Sequence, residues 1–364
     1  MTEEVVKLGV VGCGFTGRVS THGTTLSPHI ETVAVADLNE DRRRSVAEEF
    51  GVPNQHGPYE DLLNDTDVEA VYIGTRLKDR LPIVLKTLEA GKHALVQKPH
   101  AIRAADILEM KKAAETAGVT LQFCYYLRHF PWNRATRVAI HNGRIGEPYH
   151  GRYFSKNADR TSAIDDGWNV EYGNKGGVLA EHMSHDLDLL WWWMGCPKPQ
   201  WAFGVKHSIN PEPGPFEPLE DYFTGIVGFE GHKTIQIDCS SISHADSARV
   251  LELHGSEGAI SGTQRCGLSR RDERLGDELI SRRRDGGYAT EDIDESSDVP
   301  HTELQPEGIP PFFYEVEHFA LAIKGVVAPD VPAHEAYEFC RILDGLYESA
   351  LKGERVSLTG AAQA

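Results

Sequence analysis

Along the first third of the chain, short apolar runs alternate with longer segments of mixed polarity. The runs are Leu8-Gly9-Val10-Val11, Thr32–Ala36 and Ala70–Gly74, and Lys92–Val96 and Val119–Phe123 read as two further strands. Apolar stretches this short and this continuous fit strands buried on both faces, which in turn require covering helices. Two such helices are predicted from Leu81 to Ala90 and from Ile102 to Ala117, ended by Gly91 and Gly118, because glycine commonly follows a helix end. The alternation predicts a doubly wound parallel α/β sheet over residues 1–124. Near Tyr125 the character changes and a second domain, 125–364, begins. A helix at Trp132–Ile140 precedes strand-like runs at Gly225–Phe229, Thr234–Cys239 and Val250–His254, next to turn residues as in an antiparallel sheet. An arginine-rich polar stretch from about Gly262 to Asp298 breaks that pattern and reads as an excursion over the surface. Phe312–Lys324 and Ala333–Leu351 are helical in period, and these last helices are placed to pack back on the first domain.

The first strand runs directly into Gly12-Cys13-Gly14-Phe15-Thr16-Gly17. A glycine pattern of this spacing is weak alone and strong between a strand and a helix. Gly12 makes the tight turn, Gly14 lets the backbone approach a pyrophosphate, and Gly17 lets the helix pack against the strand. The helix start offers amide donors and a positive dipole end to the phosphates. The second strand ends on Asp37, where a carboxylate accepts from ribose hydroxyls and repels the extra phosphate of NADP. The expected cofactor is therefore NAD, held by residues 12–17 and Asp37. Arg42-Arg43-Arg44 could face an added phosphate, but they are expected on the exposed side of the next helix.

Composition narrows the classes. With 364 residues there is room for two cored domains, and 40% apolar and 25% charged residues are ordinary for a globular enzyme. A formal charge of −18 excludes the basic surface that nucleic acid requires. The longest apolar run, Leu189–Met194, is too short to span a membrane. Glu3-Glu4 leads directly into a strand, without the basic start and apolar core of a signal peptide, so a cytoplasmic protein is expected. Cys13, Cys124, Cys196, Cys239, Cys266 and Cys340 form no CxxC pair, and free thiols are expected in that compartment.

Gln97-Lys98-Pro99 follows a strand end, where ligands of open α/β sheets sit. An X-Pro bond there is a site for a cis peptide. Thr75, Gln97 and Lys98 complete the expected cofactor contacts. The stretch Gly176–Asp188 places Glu181, His185 and Asp188 at i, i+4 and i+7, one face of a regular helix. Acid, base and acid in one stripe suit proton transfer from a hydroxyl. His182 and His185 raise a metal site as the competitor, but no ligand set of usual zinc spacing is present, and no metal is expected. Trp191, Trp192 and Trp193 read as packing. Arg76, Lys78 and Arg80 are expected in the loop after Thr75, and Arg128 and His129 lie further on. Arg76, Arg128, Trp168, Glu181 and His185 are the expected substrate contacts.

Together these residues resemble the family of glucose–fructose oxidoreductase, inositol dehydrogenase and rhizopine-catabolism proteins (Gfo/Idh/MocA). The resemblance runs through the glycine turn, AGKHALVQKP at Ala90–Pro99, GGVLAEHMSHDLDLLWWWMG at Gly176–Gly195, Glu220-Asp221, LELHGSEGAI at Leu251–Ile260 and GERVSL at Gly353–Leu358. It implies a Rossmann domain followed by an α/β domain with a large, mainly antiparallel open sheet that supports homodimers or homotetramers. It assigns the motif lysine to Lys98 and the helical acid–histidine pattern to Glu181 and His185, with Asp188 one turn on. Gln97 stands where glutamate is usual, Glu181 where aspartate is usual, and Arg76-Leu77 with Arg80 where Pro-Asn and histidine are usual. The last departure points to an unusual substrate, one with a negative group.

The expected reaction is oxidoreduction of a sugar or cyclitol carbinol with NAD. In it Lys98 and His185 handle the hydroxyl proton and Asp188 orients the imidazole. A redox-neutral glycosidase using retained NAD and a non-catalytic dinucleotide sensor remain alternatives at this point.

Overall fold

The computed structural model describes residues 5–156, 177–209, 219–243, 248–262, 278–282, 288–292 and 311–360. The chain divides into two compact units. The first comprises Met1–His129 with Gln305–Cys340; the second comprises Phe130–Leu304 with Arg341–Ala364.

The first unit alternates strand and helix: β1 Val6–Val11, α1 Phe15–Thr24, β2 Ile30–Ala36, α2 Glu40–Phe50, β3 Asn54–His56, α3 Tyr59–Leu63, β4 Ala70–Ile73, α4 Leu77–Glu89, β5 His93–Val96, α5 Ala104–Ala117 and β6 Leu121–Phe123. All strand pairs in its sheet are parallel, in the order β3-β2-β1-β4-β5-β6. This is the doubly wound order whose reversal between β1 and β4 opens a crevice at the strands' carboxyl ends. Leu8, Val10, Val35, Tyr72 and Leu95 are fully buried and share one apolar cluster with Val316, Phe319 and Ala320 of α8, Pro311–Ile323. A late segment of sequence thus completes an early core. A 3-10 turn at Tyr126–His129 ends the continuous part of the unit.

The second unit contains α6 Pro131–His141, β7 Pro148–Lys156, a π-helical turn at Val178–Met183 leading into α7 Ser184–Trp193, then β8 Pro199–His207, β9 Tyr222–Phe229, β10 Thr234–Ser240, β11 Ala248–Gly255 and β12 Ala259–Gly262. A small antiparallel pair follows, β13 Glu278–Arg282 with β14 Tyr288–Asp292. The chain ends with α9 Ala333–Lys352 and β15 Val356–Ser357. The main sheet is ordered β12-β11-β7-β10-β9-β8-β15, antiparallel throughout except at β7–β10. Side-chain alternation gives it two faces. Ala202, Phe223, Val227, Ile235, Ile237, Leu251 and Leu253 are buried on one, while Phe203, Val205 and Ile226 are exposed on the other.

Trp191, Trp192 and Trp193 are all buried, as the packing reading expects. Trp191 Nε1 donates to the Pro197 carbonyl at 2.8 Å and Trp193 Nε1 to the Asn133 carbonyl at 3.0 Å. Part of the arginine-rich excursion is the β13–β14 pair; Arg270, Arg271, Arg283 and Arg284 lie outside the described residues. No described helix is long and apolar enough to cross a membrane.

Candidate active site

In the first unit the glycine turn connects β1 to α1, and each glycine meets a different demand. Gly12 has φ +98, and a Cβ there would lie 2.9 Å from the Gly74 carbonyl. A Cβ on Gly17 would overlap the Gly12 carbonyl oxygen. At Gly14 a Cβ would meet nothing within 4 Å, so the backbone faces open space there. No side chain caps α1 and its first turn carries no acid. An uncapped helix start of this length, reached through a bare glycine backbone, fits a dinucleotide pyrophosphate.

Asp37 holds the turn. Its Oδ2 accepts from Cys13 N at 2.8 Å and its Oδ1 from Asn39 N at 2.8 Å. Burial, together with the Asp37 charge, pushes the Cys13 thiol up to about 12, so Cys13 contributes its amide while its sulfur stays protonated. The three arginines separate. Arg44 is exposed and pairs with Glu40 and Asp41, whereas Arg43 is half-buried and donates to the Asp37 carbonyl at 2.7 Å.

Lys98 follows β5 and is half-buried, and the Lys98–Pro99 peptide is cis. Its main chain is held from both sides. Lys98 N donates to Gln97 Oε1 at 2.7 Å, and Gln97 Nε2 donates to the Tyr72 hydroxyl at 2.7 Å. The Tyr72 hydroxyl also meets Thr16 of the glycine-turn helix, which ties the cofactor turn to the lysine loop. Arg80 is buried, and its guanidinium donates to the carbonyls of Gln97, at 2.6 Å, and of Pro99 and Thr75. Residues 12–17, Asp37, Thr75, Gln97 and Lys98 therefore gather at the carboxyl ends of β1, β2, β4 and β5. Burial keeps neighbouring His100 neutral, pushed down to about 3.

Two expected substrate cations are placed differently. The helix after Thr75 begins at Leu77 with Arg76 as its N-cap, so Lys78 and Arg80 are helical rather than in a loop. Arg80 has turned inward to clamp carbonyls. Arg128 is fully buried and paired with Glu335 at 2.5 Å, with a further bond to the Asp330 carbonyl at 3.2 Å. Its guanidinium neutralises an internal carboxylate, as a buried cation must, and it is withdrawn from the expected substrate contacts. Arg76 stays half-buried at the helix start.

In the second unit Glu181 and His185 are half-buried, His182 is exposed and Asp188 is fully buried. The expectation of one continuous α-helical face is corrected. Val178–Met183 is π-helical and α7 begins only at Ser184. The wider π turn shifts the phase between Glu181 and His185, whereas His185 and Asp188 share α7. Such π segments recur at functional sites. Asp186 forms a buried ion pair with Arg249 of β11, which fastens α7 to the sheet. Trp168 lies outside the described residues. Among the described residues no three His, Cys, Asp or Glu side chains are grouped to hold a metal ion.

Sequence reasoning did not find Tyr72 or the clamping role of Arg80. A signal for Arg80 was available: Leu77, Arg80, Val84 and Leu88 form one helical stripe, so a single cation interrupts an otherwise apolar face.

Comparisons with known proteins agree with this architecture. Residues 6–125 match the model of the oxidoreductase family NAD-binding Rossmann fold, and residues 137–358 match the family's C-terminal alpha/beta domain. A 1,5-anhydro-D-fructose reductase of Ensifer adhaerens is 32% identical over 256 residues, 70% of this chain and 74% of the relative. A human trans-1,2-dihydrobenzene-1,2-diol dehydrogenase is 32% identical over 255 residues, 69% of this chain and 72% of the relative. The structure of a levoglucosan dehydrogenase in complex with NADH and levoglucosan superposes with a TM-score of 0.81 at 21% identity, covering 98% of this chain and 100% of that one. With both domain models matched in order along nearly its whole length, the chain belongs to the Gfo/Idh/MocA family of NAD-binding oxidoreductases.

Proposed function

We propose that the protein oxidises or reduces a carbinol of a sugar, cyclitol or sugar derivative, using NAD in preference to NADP. The observation that carries the reading is the gathering of the open glycine turn, Asp37 and Lys98 at one sheet edge, in a family whose relatives bear the names of sugar reductases and dehydrogenases. Residues 12–17 and Asp37 would hold NAD, which when bound would supply hydride exchange with the carbinol carbon. The chain's own residues manage the rest. The hydroxyl proton passes to His185 as the carbon loses its hydrogen, and the C–O bond becomes a carbonyl. Lys98 hydrogen-bonds the same oxygen, and Asp188 favours the charged imidazole. Glu181 and Arg76 bind other polar groups of the substrate, Arg76 being suited to a negative one.

Asp37 supports NAD, because its carboxylate would repel a 2′-phosphate. Arg43 donates to the Asp37 carbonyl and Arg44 pairs with Glu40 and Asp41 within its own helix, so both side chains have partners in the protein. The exposed Phe203, Val205 and Ile226 on one sheet face support self-association as a homodimer or homotetramer. The free thiols Cys13, Cys124, Cys239 and Cys340 fit a reducing, cytoplasmic setting.

The test is a panel of sugars, cyclitols, sugar acids and glycosides assayed with NAD for both NADH and cleaved product. NADH formation with a free carbinol is expected. Glycoside cleavage without NADH would replace the reading with redox-neutral hydrolysis, and binding without turnover of any kind would leave a sensor. Tighter binding of NADP than of NAD would overturn the cofactor choice. Light scattering that finds a monomer would overturn the assembly.

A further inference from the structure

The helix that bears Glu181 and His185 has an unusual beginning. Gly177 precedes it and offers no side chain, so no local residue caps it. A helix start leaves its first amides without intrahelical acceptors, and here two distant residues supply them. Val178 N donates to the Glu220 carbonyl at 3.0 Å. Leu179 N donates to Glu220 Oε1 at 3.2 Å, and Ala180 N donates to the Tyr347 hydroxyl at 3.2 Å. The Tyr347 hydroxyl in turn donates to Glu220 Oε1 at 2.7 Å. Both side chains are 3% exposed. Glu220 lies 41 positions from Leu179, and Tyr347 lies 167 from Ala180.

The fit is tight on the other side too. A Cβ on Gly177 would overlap the Glu220 carboxyl group. Glu220 Oε2 is buried there without a hydrogen-bond partner among the described residues. Burying a carboxylate with one oxygen unserved is costly, and burial pushes this group up to about 7. A carboxyl kept under such a cost needs a reason. The geometry supplies one: the same oxygen fixes both the helix start and the tyrosine that completes it.

We infer that Glu220 is a positioning residue for the reaction, which with Tyr347 sets the start and register of the π-to-α segment and thereby the place of Glu181 and His185. The inference rests on His185 serving as the base. Glu220 touches neither substrate nor cofactor in this role; it acts through the helix. Because helix displacements of about 1 Å can cost on the order of 100-fold in rate, loss of the cap reads out in turnover.

Three variants of the full-length protein decide it: Glu220→Ala, Glu220→Gln and Tyr347→Phe, beside His185→Ala. Glu220→Ala is expected to lower kcat by about 10- to 100-fold, with the Kd for NAD held within about twofold because the glycine turn is untouched. Glu220→Gln keeps an acceptor oxygen for Leu179 and Tyr347 and is neutral, so it is expected to restore kcat to within about threefold. Tyr347→Phe removes one hydroxyl and is expected to lower kcat about threefold to tenfold, a cost of the order of one hydrogen bond. Should Glu220→Ala not yield folded protein, Tyr347→Phe and Glu220→Gln carry the test on their own. A lowered Tm in both truncating variants with kcat unchanged would overturn the inference if His185→Ala is inactive. If His185→Ala turns over normally, the assignment of the base falls first and the positioning role falls with it.

Discussion

Two helix starts in this molecule face the same physical problem and solve it oppositely. At α1, after Gly12–Gly17, no side chain caps the amides, no acid stands in the first turn, and Gly14 borders open space. At Val178 the first three amides are all taken, by Glu220 and Tyr347, and the space beside Gly177 is filled by a carboxyl group. Amides at a helix start bind anions when left open, and they lock a helix in place when the protein closes them. The first arrangement suits a ligand that comes and goes. The second suits a helix whose side chains must not move. The difference teaches that an uncapped helix start is evidence for a ligand only when nothing distant in the fold has filled it.

The comparison breaks most decisively at the two side chains it serves. Lys98→Ala and His185→Ala are each expected to lower kcat by roughly 10²–10⁴-fold, the range for a lost general acid or base, in steady-state assays with the best substrate of the panel. Normal turnover in both would remove the proposed acid–base chemistry. Next come the glycines of the open start. Gly17→Ala forces a Cβ into the Gly12 carbonyl, an overpacking cost of about 1–3 kcal/mol in stability, expected as a clearly lowered Tm, with weaker NAD binding because the turn itself is displaced. Gly14→Ala has room in the protein itself. Its Tm should stay within about 1 °C of wild type while NAD affinity falls about tenfold, since only the ligand's approach is obstructed. Equal loss of Tm in both variants would show that Gly14 is structural too.

Each unit also hides one strained acid, and these sharpen the contrast. Burial pushes Glu315 of α8 up to about 8, beside the Cys124 thiol, against an ordinary value of 4.5. The folded state therefore holds a proton that the unfolded chain releases between those values. Stability from this group is complete below about pH 4.5 and is lost as pH rises towards 8, by up to about 1.4 kcal/mol per pH unit. Glu315→Gln should flatten that slope in urea titrations from pH 5 to 8 and leave kcat unchanged, unlike Glu220→Ala. An unaltered slope would show that Glu315 is ionised in the folded protein. The smallest expected effect is at the clamp. Arg80→Lys keeps the charge but loses the planar fork that reaches the Thr75, Gln97 and Pro99 carbonyls. A stability loss of about 1–2 kcal/mol is expected, with kcat falling more than NAD affinity. An unchanged kcat would confine Arg80 to stability.

Much of the first unit was legible because its signals are local. Strands that a parallel sheet buries on both faces carry short apolar runs, so β1, β2, β4 and β5 announce themselves in Leu8–Val11, Val33–Ala36, Ala70–Ile73 and Ala94–Val96. Gly12, Gly17 and Asp37 sit within one strand–turn–helix–strand segment, and their spacing in that local context carries the inference. Short β3, with Asn54 and His56 at its ends, has no such run, and β8 alternates exposed and buried positions with Gly204 in its middle. The arginines misled for a related reason. A cation on a sequence looks available to a ligand until the fold supplies a partner for it, as Glu335 does for Arg128 across 207 positions. The phase slip between Glu181 and His185 was hidden because an ideal 3.6-residue period cannot show a π turn.

What the amino-acid order determined by itself was the alternation of most strands and helices in the first unit, the open dinucleotide turn, and which lysine and histidine were candidates for the chemistry. Each of these depends on residues within a few turns of one another, where spacing and geometry are the same thing. Only the folded chain decided that Arg80 and Arg128 would serve the interior, and that Glu220 and Tyr347 would close the helix start at Val178. Those contacts join residues far apart in sequence, and whether a buried charge or an orphan amide finds its partner depends on packing that no local pattern encodes.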